Sequence, residues 1–90
     1  MGQYRKRPVI IDAWQVQWLL DSARNNSPLF PAGVEAAHLA GDLTLRDDCI
    51  SVLTLEGTMV ARADDWLLRG VAGEFYPCKP DIFAATYEEV

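Results

Sequence analysis

Apolar and polar residues alternate through the middle of the chain. The stretch DLTLRDD places leucines at every second position, and CISVLTLE and TMVARA follow it. A period of two is typical of strands that bury one face. Glu56-Gly57 separates the last two stretches and predicts a tight hairpin turn. The pattern therefore predicts a run of antiparallel strands after Gly41.

Strand-like segments also stand on both sides of this region. RPVIIDAWQV has a β-branched run after Pro8 and predicts a strand that ends near Val16. DWLLRGV and EFYPC predict a further pair of strands joined through Ala72-Gly73. The last residues, TYEEV, predict an extended segment. Because the termini of small domains often meet, we expect residues 9–13 and 86–90 to be extended neighbours.

Short helices are predicted between the first strand and the alternating region. WLLDSA and VEAAHLA carry helix formers, and the prolines, asparagines and glycine of NNSPLFPAG separate them. Gly41 is typical of the position just beyond a helix end, and Asp81 can cap one helical turn through IFAA. Residues 1–90 are thus predicted to form one α+β domain, mainly antiparallel sheet with one or two short helices near the middle and adjacent terminal strands.

The charge of the chain argues against nucleic acid as its main partner. The formal net charge is −5, whereas a surface that follows phosphates needs a positive balance. The basic cluster Arg5, Lys6 and Arg7 is the candidate nucleic-acid contact. A solvated strand edge, where charge discourages association between edges, is the favoured interpretation of these residues.

Only a short segment at the start of the chain resembles a secretory signal. Asp12 interrupts the apolar run after Val9, Ile10 and Ile11, and a signal peptide needs a longer run. No segment approaches the roughly 20 apolar residues of a membrane span. The sequence therefore predicts a cytoplasmic protein that makes no membrane contact, with Cys49 and Cys78 as reduced thiols.

The residue types that carry most chemistry are few and widely spaced. His38, Cys49 and Cys78 lack the short spacings of metal ligands, so no metal and no cofactor is predicted. Lys79 could lower the pKa of the Cys78 thiol if the two side chains approached each other, but packing is the favoured role of this cysteine. Asp64-Asp65 is interpreted as a turn in which carboxylates bind backbone groups.

YRKRPVIIDAWQV stands near the start of the chain and TLEGTMVARADDWLLRGVAGEFYPCKPDIFAATYEEV at its other end, and the motif GEFYPCKPDIF followed by TYE is the most specific part. Together, these two segments resemble a family of small phage and prophage proteins without an established activity. Asp64 stands where the family usually has glycine, and Ala84 replaces an acidic residue that would complete a capping box. The resemblance implies an accessory protein of a bacteriophage or prophage in a bacterial host.

Two functions are carried forward. The leading hypothesis is a non-enzymatic accessory or regulatory protein that binds a host or phage protein, because the chain is small and acidic and has no catalytic grouping. The alternative is a binder of a small molecule or nucleotide, with or without enzymatic activity, whose pocket forms where Asp65, Tyr76, Cys78 and Lys79 converge. The partner and the oligomeric state are left open.

Overall fold

The described part of the chain folds into three short helices and two antiparallel three-stranded sheets, which confirms the predicted α+β class. The computed structural model describes residues 2–5 and 7–90. In chain order, the elements are β1 (Asp12–Gln15), α1 (Val16–Arg24), α2 (Ala32–Ala40), β2 (Leu43–Leu45), β3 (Cys49–Thr54), β4 (Gly57–Arg62), β5 (Trp66–Arg69), β6 (Phe75–Cys78) and α3 (Pro80–Thr86).

The first sheet is a meander in the order β2-β3-β4, as the alternating pattern predicts. Its inward residues, among them Leu43, Ile50 and Val52, are buried in the core together with Leu19 and Leu20 of α1. The β3–β4 turn lies one residue earlier than predicted, at Leu55 and Glu56, because Gly57 already pairs with Thr54. Gly57 has a φ of +115°, which favours glycine. Leu55 therefore lies at the tip of the hairpin.

The second sheet has the order β1-β5-β6, with β5 in the middle. Side chains alternate between its two faces. Trp14, Leu67 and Phe75 lie on the face that packs into the core, and β6 contacts β3 and β4 of the other sheet. The opposite face carries Trp66 and the fully buried Leu68.

Backbone carbonyls of the β4–β5 turn accept hydrogen bonds from the first two backbone N–H groups of α1. The backbone N–H of Val16 donates to the carbonyl of Asp65, and that of Gln17 donates to the carbonyl of Ala63, both at 3.0 Å. Gln15, which precedes the helix, makes no side-chain cap. Helix N-termini have N–H groups without intrahelical partners, so these two contacts let β1 lead directly into α1.

The two chain ends lie next to each other, as predicted, but not as paired strands. Residues 9–11 and 87–90 line one cleft, whereas β1 pairs only with β5 among the described strands. The strand β5 is four residues long, so only Asp12–Gln15 finds partners. Helix α3 runs to Thr86 instead of ending after one turn. This leaves four residues beyond it, which form no strand.

Candidate functional site

Three of the four predicted ligand-binding residues lie together at one end of the second sheet. Trp66 pairs with Cys78, which brings Asp65 close to Lys79. The Nζ atom of Lys79 lies 3.5 Å from Oδ2 of Asp65, whose side chain is 3% exposed. The same Oδ2 accepts a hydrogen bond of 2.9 Å from the backbone N–H of Arg62. The turn role predicted for Asp65 is confirmed.

The Cys78 thiol is not activated in this arrangement. Burial raises its pKa, and the carboxylates of Asp65 and Asp81 raise it further. The Sγ atom points to the carbonyl oxygen of Lys79 at 3.6 Å, while the Lys79 ammonium pairs with Asp65. Because the thiolate is the nucleophile and the metal ligand, a raised pKa disfavours both kinds of chemistry at neutral pH. The geometry instead favours a packing role for Cys78.

Tyr76 lies two residues before Cys78 on the same face of β6. Burial raises the pKa of Tyr76 to about 12, and the neighbouring Tyr87 is the second cause. Its phenol is therefore protonated at neutral pH. Tyr76 also lines a cleft that none of Asp65, Cys78 and Lys79 lines. The four residues thus do not share the single pocket that the alternative hypothesis requires among the clefts described here.

Helix α3 is held to the second sheet through stacked aromatic rings. The ring of Phe83 lies parallel to Trp66 with centroids 4.0 Å apart and a 13° angle between the planes. Tyr87 also stacks on Phe83, and the centroids of these two rings are 5.3 Å apart. All three rings are partly buried. This stack fastens the C-terminal segment to the face of the sheet that also carries Leu68.

The two described residues of the basic N-terminal cluster belong to neither sheet. Arg5 and Arg7 are exposed and precede the first strand, and Lys6 lies outside the described residues. Neither arginine pairs with a described carboxylate. The weak nucleic-acid hypothesis for these three residues stays a prediction.

An open, mainly apolar depression lies between the β3–β4 hairpin and the start of β6. We call it the hairpin cleft; its volume is about 730 Å³, and its lining residues are Asp42, Leu53, Thr54, Leu55, Glu56, Met59, Gly73, Glu74, Phe75 and Tyr76. Leu53 and Met59 are 56% and 42% exposed, and Leu55 is fully exposed.

The hairpin cleft was not predicted from the sequence, although a signal for it was present. In SVLTLE, Val52 lies on the inward face of β3, yet the next residue, Leu53, is also a large apolar residue. A strand with one solvated face carries polar residues at such positions. An apolar outward residue beside an apolar turn residue, Leu55, therefore indicates a surface that another molecule can cover.

A second cleft, which we call the chain-end cleft, lies between residues 9–11 and 87–90. It has a volume of about 390 Å³, and Trp66, Phe83 and Tyr87 also line it. Its aromatic walls already stack on one another. Their main contacts are therefore made within the domain.

Comparison with protein-family models, with curated proteins and with solved structures gives no match. Within residues 2–5 and 7–90, no helix has the length and apolar character that crossing a membrane requires. In the same residues, no three His, Cys, Asp or Glu side chains are grouped as a metal site needs.

Proposed function

We propose that this chain is a non-enzymatic accessory protein of a phage or prophage, and that it binds a host or phage protein through the hairpin cleft. One observation carries the proposal: Leu53, Leu55 and Met59 are exposed apolar residues that line one open depression. Contiguous apolar patches on soluble domains commonly mark interaction sites. The cytoplasm of a bacterial host is the proposed location, on the strength of the resemblance of GEFYPCKPDIF to the phage family.

The position of Leu55 adds support for a docking role. A leucine at the tip of a two-residue turn makes no contribution to the core, because its side chain is fully exposed. Turn tips more commonly carry Gly, Asn, Asp or Ser, which satisfy the turn backbone. Here Thr54 supplies that function, since its Oγ1 donates to the carbonyl of Gly57 at 2.8 Å. The leucine is therefore available for contact with a partner.

The alternative, a small-molecule or nucleotide site around Asp65 and Lys79, has less support. The Asp65 carboxylate is almost fully buried and already bound by the Arg62 backbone and by Lys79. A ligand would have to displace one of these contacts. Removing a partner from a buried carboxylate destabilises the folded protein. The arrangement therefore favours a structural role for Asp65.

A substitution at the hairpin tip tests the proposal. Immobilised protein is incubated with lysate from bacteria with and without phage infection, and bound proteins are quantified by mass spectrometry. Leu55→Ser should reduce the capture of a specific partner by about tenfold or more, the scale of an apolar anchor in an interface. Leu39→Ser is the matched control, because Leu39 is also an exposed leucine, on α2, and lines neither cleft.

The two variants must give different results for the proposal to stand. If Leu55→Ser and Leu39→Ser capture the same proteins in the same amounts as the unmodified chain, the hairpin cleft is not the docking surface. Both variants should retain the unfolding midpoint of the unmodified protein within experimental error, because surface substitutions of this type change stability little.

A further inference from the structure

Three acidic residues line the hairpin cleft: Asp42, Glu56 and Glu74, which we call the acidic rim. They come from three separate parts of the chain: Asp42 is the second residue after α2, Glu56 lies in the β3–β4 turn, and Glu74 directly precedes β6. The carboxylate of Glu74 lies against Gly70, next to the cleft. All three residues are exposed. The fold therefore assembles negative charge around the same depression that exposes Leu53, Leu55 and Met59.

The acidic rim is not neutralised within the described part of the chain. None of its carboxylates lies within 4.0 Å of a cationic group of that part. The guanidinium of Arg69 lies 5.8 Å from the centroid of the Phe75 ring, but Arg69 does not line the cleft. Among the described residues, the lining holds three acidic residues and no Lys, Arg or His. The charge of the lining is therefore negative, in the same direction as the net charge of −5.

From this combination we infer that the hairpin cleft binds a basic peptide segment. Apolar side chains of the segment pack on Leu53, Leu55 and Met59, and its lysines or arginines pair with the acidic rim. This inference rests on the proposed function and names the chemistry of the partner. Complementary charge steers association and selects partners, while the flexible thioether of Met59 adapts to the shape of an apolar side chain.

Other partners fit this surface less well. Nucleic acids and anionic membrane surfaces carry negative charge, which the rim repels. An acidic peptide meets the same repulsion. An uncharged apolar peptide can use the floor of the cleft but gains nothing from Asp42, Glu56 and Glu74. A basic amphipathic segment uses both features at once.

The test uses two short synthetic peptides, one of leucines and lysines and one in which glutamate replaces every lysine. Binding to the full chain is measured by isothermal titration calorimetry at low salt. Only the cationic peptide should bind, and its affinity should fall as salt is added, because exposed charge pairs are screened. The peptide itself is the probe, so identification of the natural partner is not needed.

Two variants that each remove the same charge show whether the acidic rim is where the cationic peptide binds. The rim variant carries Asp42→Asn, Glu56→Gln and Glu74→Gln, and the control variant carries Asp48→Asn, Glu88→Gln and Glu89→Gln. Each removes three negative charges from a net charge of −5. The control includes both acidic side chains that line the chain-end cleft, so the comparison also separates the two clefts.

The rim variant should weaken binding of the cationic peptide by about tenfold, since three exposed charge pairs of modest strength are lost. The control variant should weaken it less than about twofold. Equal weakening by the two variants would mean that net charge alone attracts the peptide, and stronger weakening by the control would assign it to the chain-end cleft. Either result overturns the inference.

Failure of the inference can be separated from failure of the proposed function. If the cationic peptide does not bind, or the acidic peptide binds equally well, a basic segment is the wrong partner class. Capture of a lysate protein that depends on Leu55 would then still support docking at the hairpin cleft. If no Leu55-dependent capture occurs, the docking function itself is wrong.

Discussion

Replacing Leu67 with alanine is expected to lower the free energy of unfolding by about 2–5 kcal/mol. Leu67 is fully buried and lies on β5, the middle strand of the second sheet, between Trp14 on β1 and Pro77 on β6. Truncation removes buried apolar contacts and leaves a cavity that strands paired on both sides cannot easily close. A domain of this size commonly has only about 5–15 kcal/mol of stability in total.

Urea unfolding followed by tryptophan fluorescence measures this effect. Val71→Ala is the control, because Val71 is an apolar residue on the turn that follows β5 and is largely exposed. Its substitution should change stability by less than about 0.5 kcal/mol. A loss below about 1 kcal/mol for Leu67→Ala would contradict the placement of this side chain in the core.

Replacing Phe83 with alanine should lower the free energy of unfolding by about 2–3 kcal/mol. The ring is partly buried, so the effect is below that of a fully buried phenylalanine. It stacks on Trp66 at 4.0 Å and on Tyr87 at 5.3 Å, and its removal separates those two rings. The near-ultraviolet circular dichroism of the tryptophans should change as well.

Ile82→Ala is the matched control for this substitution. Ile82 precedes Phe83 on the same helix, and it is an apolar residue that is more than half exposed. Thermal unfolding compares the two variants directly. If both lose the same stability, the aromatic stack does not fasten α3 to the sheet, and the structural interpretation of GEFYPCKPDIF is wrong.

Local sequence patterns predicted those helices and strands that interact mainly with residues nearby in the chain. The alternation in DLTLRDD, CISVLTLE and TMVARA corresponds to β2, β3 and β4, because neighbouring strands joined by short turns bury every second side chain. Gly41 follows α2 with a φ of +88°, a conformation that glycine adopts without strain. Gly73 has the same role in the turn between β5 and β6.

Features that depend on distant partners could not be predicted in this way. The length of β1 is set by β5, which lies more than 50 residues later in the chain. The pairing of Asp65 with Lys79 follows from the register of β5 and β6, and no local spacing encodes it. The stack of Trp66 and Phe83 likewise requires α3 to lie on the sheet.

The candidate docking surface illustrates the same division. An outward Leu53 next to a turn leucine is visible in the sequence, whereas Asp42 and Glu74 lie along the same cleft only after the chain folds. Folding brings these apolar and acidic residues together, and the composition of the chain does not show that it will. The net charge of −5 is compatible with many distributions of the acidic residues, so it could not indicate a rim.

Amide hydrogen exchange of the chain, alone and with the protein partner captured through Leu55, tests the docking proposal most directly. The proposal predicts slower exchange on binding at residues 53–56, 59 and 73–76, which line the hairpin cleft, and unchanged exchange at the chain ends. Slower exchange confined to residues 9–11 and 87–90, or to the neighbourhood of Asp65 and Lys79, would contradict it.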